Sequence, residues 1–136
     1  MKIEHFATVQ FYDTDCGGVV SNIAYLRFVE EARTIQFAEL GLSLDDINKS
    51  QIFPVVTRTE IDYRAPAKLG DKIRISAFLE TVGKVRAICG FTLETTREEG
   101  KNITLSVAKQ TAALVQMPSG KPRRVPAEWS KMTTSC

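Results

Sequence analysis

The residue types and spacing best suited to chemistry lie in one short loop, residues 11–20, that leads into a predicted helix. Asp15 in this loop is followed by Cys16 and by paired glycines, a composition that favours a turn. The first amides of a helix have no partners within the helix, and with the helix dipole they carry about half a positive charge. They therefore favour an anion or a developing oxyanion, and Asp15 would lie beside them. In the alternative, Asp13, Thr14 and Asp15 only form an Asx turn that caps the helix.

Histidine-based mechanisms are disfavoured, because the sequence has one histidine, His5, and it lies in a predicted strand. The alternation of that strand indicates a packed or edge histidine. The sequence contains no Gly-x-Ser-x-Gly elbow, no phosphate-binding glycine loop and no His-Glu-x-x-His pattern. Cys16 adjoins Asp15, but no base is available to activate its thiol. What remains as a candidate site is the loop of residues 11–20, for which the helix-capping alternative stays open at this point.

The composition is that of an ordinary globular protein, with 136 residues of which 43% are hydrophobic and 25% charged. This length predicts a single domain over residues 1–136. The net charge of +2 is too small to predict a nucleic-acid partner, and no apolar run approaches the roughly 20 residues that span a bilayer. The N-terminus lacks the apolar core of a signal peptide, so we predict a cytoplasmic location. The cysteine pattern predicts free thiols at Cys16, Cys89 and Cys136 rather than a disulfide framework or a zinc site.

A strand and a long helix are predicted on either side of the loop. Apolar and polar residues alternate over residues 3–12, which predicts the first strand. From Asn22 to Leu40 the apolar residues recur at helical spacing and predict an amphipathic helix. Ser21 or Asn22 is suited to cap this helix, and Gly41 to end it.

A short helix and four more strands follow, which predicts an α+β class. Ser43 and Asp46 form a capping-box pattern that opens a helix reaching about Lys49. Short turns between the later strands imply antiparallel pairing. The length of the strands favours a sheet that is curved around the long helix and extended by a second subunit. Residues from about 118 to 136 are expected to form a less ordered tail, with a short helix at 127–129. The four strands are predicted by alternation over residues 55–64, 73–79, 85–93 and 103–117.

The loop and helix together carry a pattern that resembles the signature of the 4-hydroxybenzoyl-CoA thioesterase family. The likeness continues in the same order along the chain to about Met117. The first part of the pattern comprises Phe11-Tyr12-Asp13-Thr14-Asp15, Gly18-Val19-Val20, Tyr25-Leu26-Arg27-Phe28, Glu30 and Ala32-Arg33. Its later parts are Pro54-Val55-Val56, Ile61-Asp62-Tyr63-Arg64 with Pro66, and Gly70-Asp71 before a strand.

This resemblance implies a hot-dog fold, in which a five-stranded antiparallel sheet wraps around one long helix, assembled as a homodimer or homotetramer. It implies a thioester hydrolase that acts on an acyl-CoA or on an acyl carrier protein. No metal or redox cofactor is implied, and CoA enters only as part of the substrate. Asp15 corresponds to the reacting carboxylate of the family, and the backbone amide of Asn22 corresponds to the group that polarises the thioester carbonyl.

Four further positions are assigned to substrate binding. Val20 and Tyr25 flank the predicted site, with a place in the core as the alternative for Tyr25. Lys84 and Arg86 are candidates to bind the phosphates of CoA, because CoA in the family often lies across strand ends near the corresponding turn. A solvated basic edge is the alternative for these charges. Three further basic residues have the same two possible roles, CoA phosphate binding or a solvated basic edge: Lys121, Arg123 and Arg124.

The sequence departs from the family pattern at three positions. Many relatives have histidine at the position of Asn22, asparagine at Ala24 and tyrosine at Phe11. The amide of Asn22 is unaffected by its side chain, but the missing histidine leaves open a non-catalytic protein that binds acyl-CoA or an acyl carrier protein. Hydratase chemistry on the same fold usually requires a catalytic histidine and is disfavoured.

Overall fold

The computed structural model describes residues 1–134, and its sheet is antiparallel throughout. Neighbouring strands follow the order β1-β3-β4-β5-β2, and a short sixth strand pairs with β5. The strands are β1 (Lys2–Thr8), β2 (Ile52–Tyr63), β3 (Lys72–Val82), β4 (Arg86–Arg97), β5 (Lys101–Gln116) and β6 (Lys121–Arg123). The helices are α1 (Asn22–Glu39) and α2 (Leu44–Ser50), with 3-10 turns at Phe11–Asp13, Glu98–Gly100 and Ala127–Met132.

The sheet wraps around α1, as the sequence predicts. Phe28, Val29 and Ala32 on α1 are completely buried, and so are Ile73 and Ile75 on β3. Shifts of register in three of the strand pairs mark bulges, which increase twist and bend a sheet. The five long strands and one long helix confirm the predicted α+β hot-dog architecture. The short strand β6 was not predicted.

Strand β1 is shorter than the alternation predicts, because the chain turns away from β3 after Thr8. Val9 still exchanges main-chain bonds with the turn before β3, donating to Asp71 O at 2.9 Å and accepting from Gly70 N at 3.3 Å. Phe11 then lies in a 3-10 turn and is 80% exposed, so its predicted place in the first strand is wrong. This early turn brings the predicted catalytic loop to the start of α1.

Strand β2 is an edge of the sheet, with β5 as its neighbour. It begins at Ile52, earlier than predicted, and therefore includes Pro54. A proline has no amide to donate, which an edge strand tolerates on its open side. Strand β2 runs antiparallel to β5 over its twelve residues. Its last residue, Tyr63, lies near the start of α1, where the Tyr63 hydroxyl donates to Asn22 O at 3.2 Å.

Residues 118–134 are built into the fold, in contrast to the expected less ordered tail. Strand β6 pairs with the end of β5, and the 3-10 turn at 127–132 buries Trp129, whose Nε1 donates to Leu40 O at 3.2 Å. A tryptophan that is 2% exposed anchors the segment against the end of α1. Cys136 lies outside the described residues. Within residues 1–134 no helix is both long and apolar enough to cross a membrane.

Candidate active site

The loop before α1 is a small antiparallel hairpin closed by main-chain hydrogen bonds. Ser21 N donates to Asp13 O at 2.8 Å, and Asp15 N donates to Val19 O at 2.9 Å. Gly18 N closes the turn by donating to Asp15 O at 3.1 Å, and Gly18 has a φ of +79°, a conformation that favours glycine. The hairpin is also tied to the chain before β3, where Val20 N donates to Ala67 O at 2.8 Å.

Asp15 presents its carboxylate to solvent near the tip of this hairpin. Its Oδ1 accepts a hydrogen bond from Gly17 N at 2.8 Å, which is the Asx turn that the sequence left open as an alternative. Among residues 1–134 no group hydrogen-bonds its Oδ2. The turn occupies one carboxylate oxygen, so the second oxygen is available for chemistry.

The amide of Asn22 begins α1 directly after the hairpin. Ser21 occupies the cap position, but its side chain makes no capping hydrogen bond. Within the described chain no acceptor bonds Asn22 N–H, as expected for the first amide of a helix. An unpartnered N–H at the positive end of an 18-residue helix is suited to bind an oxyanion.

Asp13, two residues before Asp15, has a different environment. It is 2% exposed, its Oδ1 accepts from Arg27 Nη2 at 2.5 Å, and its Oδ2 accepts from Gln10 N at 2.9 Å. Burial alone would lower the pKa of the Arg27 guanidinium, but the hydrogen bond and charge of Asp13 raise it above its ordinary value. The two aspartates of the loop are therefore separated by structure into a buried, fully bonded residue and an exposed one.

A cavity of about 260 Å³ lies beside the start of α1. It contains three of the residues that the sequence assigned to the site, Val20, Asn22 and Tyr25. Val20 and Tyr25 are both buried, and the Tyr25 hydroxyl accepts from Ala67 N at 3.0 Å, so Tyr25 supports the cavity wall from within the core. Tyr63, which sequence reasoning did not assign to the site, also lines it.

Tyr63 stands at the open side of this cavity, at the end of β2. Its ring meets the Tyr25 ring edge-on, with centroids 5.2 Å apart, and its hydroxyl reaches the first residue of α1. The side chain is 44% exposed. Its place in the Ile61-Asp62-Tyr63-Arg64 segment was the signal that could have drawn attention to it.

A second, larger cavity of about 440 Å³ lies further along α1, between α1, α2 and the start of β2. Arg33 and Phe37 from α1 line it, together with Val56 from β2. Asn22, Glu30, Arg33 and Phe37 fall on one helix face by their spacing, so both cavities lie along the same side of α1. The distance along the helix from Asn22 to Phe37 is about 22 Å.

Arg33 is held in place at this larger cavity. Its Nη1 donates to Gln110 Oε1 at 2.9 Å, and it forms an ion pair with Glu30, three residues earlier on the same helix. Gln110 is buried and donates in turn to Thr59 on the edge strand at 3.2 Å. The cavity therefore combines an apolar wall with one fixed polar group.

Lys84 and Arg86 are not brought to this site within one chain. Both are exposed, Lys84 on the turn between β3 and β4, where Val125 N donates to Lys84 O at 2.8 Å, and Arg86 at the first position of β4. The hairpin that carries Asp15 lies near the opposite end of β4, where Arg97 Nη2 donates to Pro66 O at 2.7 Å. The twelve residues of β4 span roughly 35 Å. The assignment of Lys84 and Arg86 to CoA phosphates therefore remains a prediction. It would require a second subunit to bring these two residues to the site of another chain.

The histidine and two of the cysteines lie in three different environments. His5 Nε2 lies 3.3 Å from Glu31 Oε1 on the outer part of α1. Cys89 is buried, which raises the pKa of its thiol to about 12, and Cys16 is exposed in the hairpin. Among residues 1–134 no group of three or more His, Cys, Asp or Glu side chains could hold a metal ion.

Residues 9–132 match the family model of the thioesterase-like superfamily. The chain belongs to this superfamily. Among curated proteins, this thioesterase-like protein is 32% identical over 122 residues to the acyl-CoA thioesterase YbgC of Haemophilus influenzae, which covers 88% of this chain and 85% of that protein. Membership confirms the resemblance found in the sequence and, with it, the class of thioester hydrolase.

Solved structures agree with the fold of this thioesterase-like protein. The 4-hydroxybenzoyl-CoA thioesterase from Pseudomonas sp. strain CBS-3 superposes with a TM-score of 0.84 over 96% of this chain and 98% of that one, at 17% identity. A probable thioesterase from Bartonella henselae gives a TM-score of 0.70 over 92% of this chain and 98% of that one, at 28% identity. At 17% identity, the similarity to the Pseudomonas enzyme concerns the fold alone.

Proposed function

We propose that the protein hydrolyses acyl-CoA thioesters, with Asp15 as the reacting carboxylate and the Asn22 amide as oxyanion donor. The observation that carries the proposal is the hairpin that exposes the Asp15 carboxylate near its tip and ends, at its base, in the unpartnered amide of Asn22. Membership of a thioesterase superfamily supplies the reaction class. The acyl-CoA thioesterase activity named for the Haemophilus influenzae relative supports CoA as the carrier.

The reaction requires charge stabilisation more than proton transfer. In one route an Asp15 carboxylate oxygen attacks the thioester carbonyl, the C–S bond breaks, and water later cleaves the resulting anhydride. In the other, Asp15 takes a proton from water as the water attacks. In both routes the developing oxyanion accepts from Asn22 N–H, and the CoA thiolate leaves to be protonated by solvent. A thiol with a pKa near 8.5 departs without a strong general acid, so no histidine is needed.

The acyl group is proposed to extend along α1 into the larger cavity. The thioester carbonyl would lie in the smaller cavity beside Asn22, and the acyl chain would follow the helix face that leads to Arg33 and Phe37. The larger cavity is lined mainly by apolar surface, which suits an aliphatic or aromatic acyl group.

A homo-oligomer is part of the proposal, and its test is the mass of the protein in solution. Strand β2 is a twelve-residue edge with Val55 and Tyr63 exposed, and long edge strands pair readily with another chain. Pairing there would place a second subunit beside the cavity that Tyr63 lines. A monomer at working concentration would contradict this part alone. The cytoplasmic location stays a prediction.

The central experiment measures thiol release from a panel of aliphatic and aromatic acyl-CoAs by native protein and by Asp15→Asn. The loss of a general base or nucleophile predicts a fall in kcat of about 10²- to 10⁴-fold, with the variant still folded and still binding substrate. Asp45→Asn, at an exposed aspartate of α2, is the matched control and should keep full activity. Native protein without activity, or an Asp15→Asn variant as active as native, would show the proposed mechanism to be wrong.

A further inference from the structure

The base of the catalytic hairpin is held by an ion pair between a buried carboxylate of the loop, Asp13, and a half-exposed guanidinium of α1, Arg27. Asp13 provides the carbonyl that accepts from Ser21 N, so it closes the hairpin through its main chain. Its side chain meanwhile joins Arg27 on the second turn of α1 and the amide of Gln10 before the hairpin. One residue thus joins both ends of the hairpin to the helix whose first amide is Asn22.

Arg27 is itself constrained on several sides. Its Nη1 donates to Glu31 Oε2 at 2.8 Å, and its guanidinium carbon lies 4.7 Å from the centre of the Phe28 ring and 5.5 Å from that of Tyr12. A planar guanidinium bonded at two nitrogens and packed against aromatic rings has little freedom to reorient. Arg27 therefore fixes the orientation of Asp13 relative to the helix axis.

We propose that the Asp13–Arg27 ion pair is a positioning device that sets the Asp15 carboxylate relative to the Asn22 amide. The inference rests on the proposed function, because it assumes that Asp15 reacts. Asp13 is buried and does not face the cavities beside α1, so it is not a group that touches substrate. Its influence on the reaction passes through the hairpin, and geometric errors of about 1 Å can lower rates by about 100-fold.

The test compares kcat and KM of Asp13→Asn with those of the native protein. The amide keeps the size of the side chain and one acceptor oxygen but removes the charge that holds Arg27. We expect kcat to fall about 10- to 100-fold while KM changes by less than about threefold, since uniform substrate binding is untouched. Glu94→Gln is the matched control, because Glu94 also pairs with an arginine, Arg74 Nη2 at 3.1 Å, but on a different strand pair of the sheet. Its kcat should stay within about twofold of native.

Variants at Arg27 separate positioning from folding. Arg27→Met leaves a buried carboxylate without its counter-charge and risks unfolding, whereas Arg27→Lys keeps the charge and should recover part of the lost kcat. The double variant Asp13→Asn with Arg27→Met removes both charges and should have a kcat no lower than the worse single variant, because the two residues act as a unit.

The outcomes are distinguishable. A native kcat in folded Asp13→Asn, a loss confined to KM, or an equal loss in Glu94→Gln would overturn the positioning role while leaving the proposed function intact. Asp15→Asn measured in the same series reports on the proposed function, because an active Asp15→Asn would remove the reacting group that Asp13 is said to position.

Discussion

At the scale of single residues, the two loop aspartates differ by burial more than by chemistry. Asp13 and Asp15 have the same side chain and lie two positions apart, yet one is enclosed and fully bonded while the other faces solvent. Their position in the loop was evident from the sequence. The difference in burial depends on Arg27, whose guanidinium reaches the Asp13 carboxylate only once α1 has packed against the hairpin.

The proposed oxyanion donor can be removed without removing the helix. Asn22→Pro deletes the backbone N–H at the first helical position, where proline is well tolerated, and Ser21 before it already has the extended backbone that a following proline requires. We expect kcat to fall about 10²- to 10³-fold, the usual effect of losing one oxyanion donor. Thiol release and circular dichroism would measure activity and helix content.

Asn22→Ala is the partner experiment, because it removes the side chain and keeps the amide. If Asn22→Ala loses as much kcat as Asn22→Pro, the Asn22 side chain rather than its main chain carries the effect. Near-native kcat in folded Asn22→Pro would rule out the amide as the donor.

At the scale of elements, the helices and long strands could be predicted from the sequence, but the end of β1 and the short strand β6 could not. Apolar spacing predicted α1 within one residue at its end, and alternation predicted four of the later strands. The early end of β1 depends on a side chain, Asp13, that accepts from Gln10 N and starts a turn, which competes with continued pairing to β3. Strand β6 has three exposed residues and no periodic signal, so only its pairing with β5 defines it.

The cavity between α1 and β2 should set the length of acyl group that is accepted. Val56→Phe adds volume on the side of β2 that lines the cavity, and we expect kcat/KM for long acyl-CoAs to fall about tenfold or more relative to short ones. Val55→Phe adds the same volume on the other face of the strand, where the side chain is 42% exposed, and is the matched control. The mass of both variants in solution is compared with native, so that an effect on the proposed β2 interface is separated from an effect in the cavity. Equal changes in both variants, or none in Val56→Phe, would contradict the assignment.

The turn between β2 and β3 is tied to the end of β4 by a charge pair that depends on pH. Burial alone would raise the pKa of Asp71, but hydrogen bonds from Arg97 at 2.7 Å and from Lys68 N at 2.9 Å lower it below its ordinary value. A carboxylate with a lowered folded-state pKa stabilises the fold above the unfolded-state pKa, near 3.8, and that contribution is lost as pH falls through the folded-state value.

Asp71→Asn should therefore lower the free energy of unfolding by about 1–3 kcal/mol at pH 7. The difference from native should shrink as pH falls below the unfolded-state value of 3.8 and through the lower folded-state pKa. Urea unfolding at several pH values would measure this. Glu60→Gln, in the exposed pair with Arg58, is the control and should cost less than about 1 kcal/mol. A difference that stays constant with pH would argue against the charge pair as its source.

At the scale of the whole molecule, the C-terminal segment completes the core. Trp129→Ala removes a buried indole and its hydrogen bond to Leu40 O, and we expect a loss of about 3–5 kcal/mol in the free energy of unfolding. Lys131→Ala, two residues on and exposed, should leave stability within about 0.5 kcal/mol of native. Chemical denaturation of both variants measures the contrast, and equal stability would mean that the segment is dispensable.

The hairpin before α1 is closed by main-chain bonds and tied to the helix by the Asp13–Arg27 pair at its base, so its rim is left free to vary. Its closing bonds join backbone atoms of Asp13 to Ser21, Asp15 to Val19 and Val20 to Ala67. Exposed positions of the hairpin and the adjoining helix turn, such as Cys16 and Ile23, contribute no side chain to those bonds. Side chains at the rim can therefore be exchanged, by evolution or by directed libraries, to alter which substrates are admitted while the geometry of the reacting groups is retained.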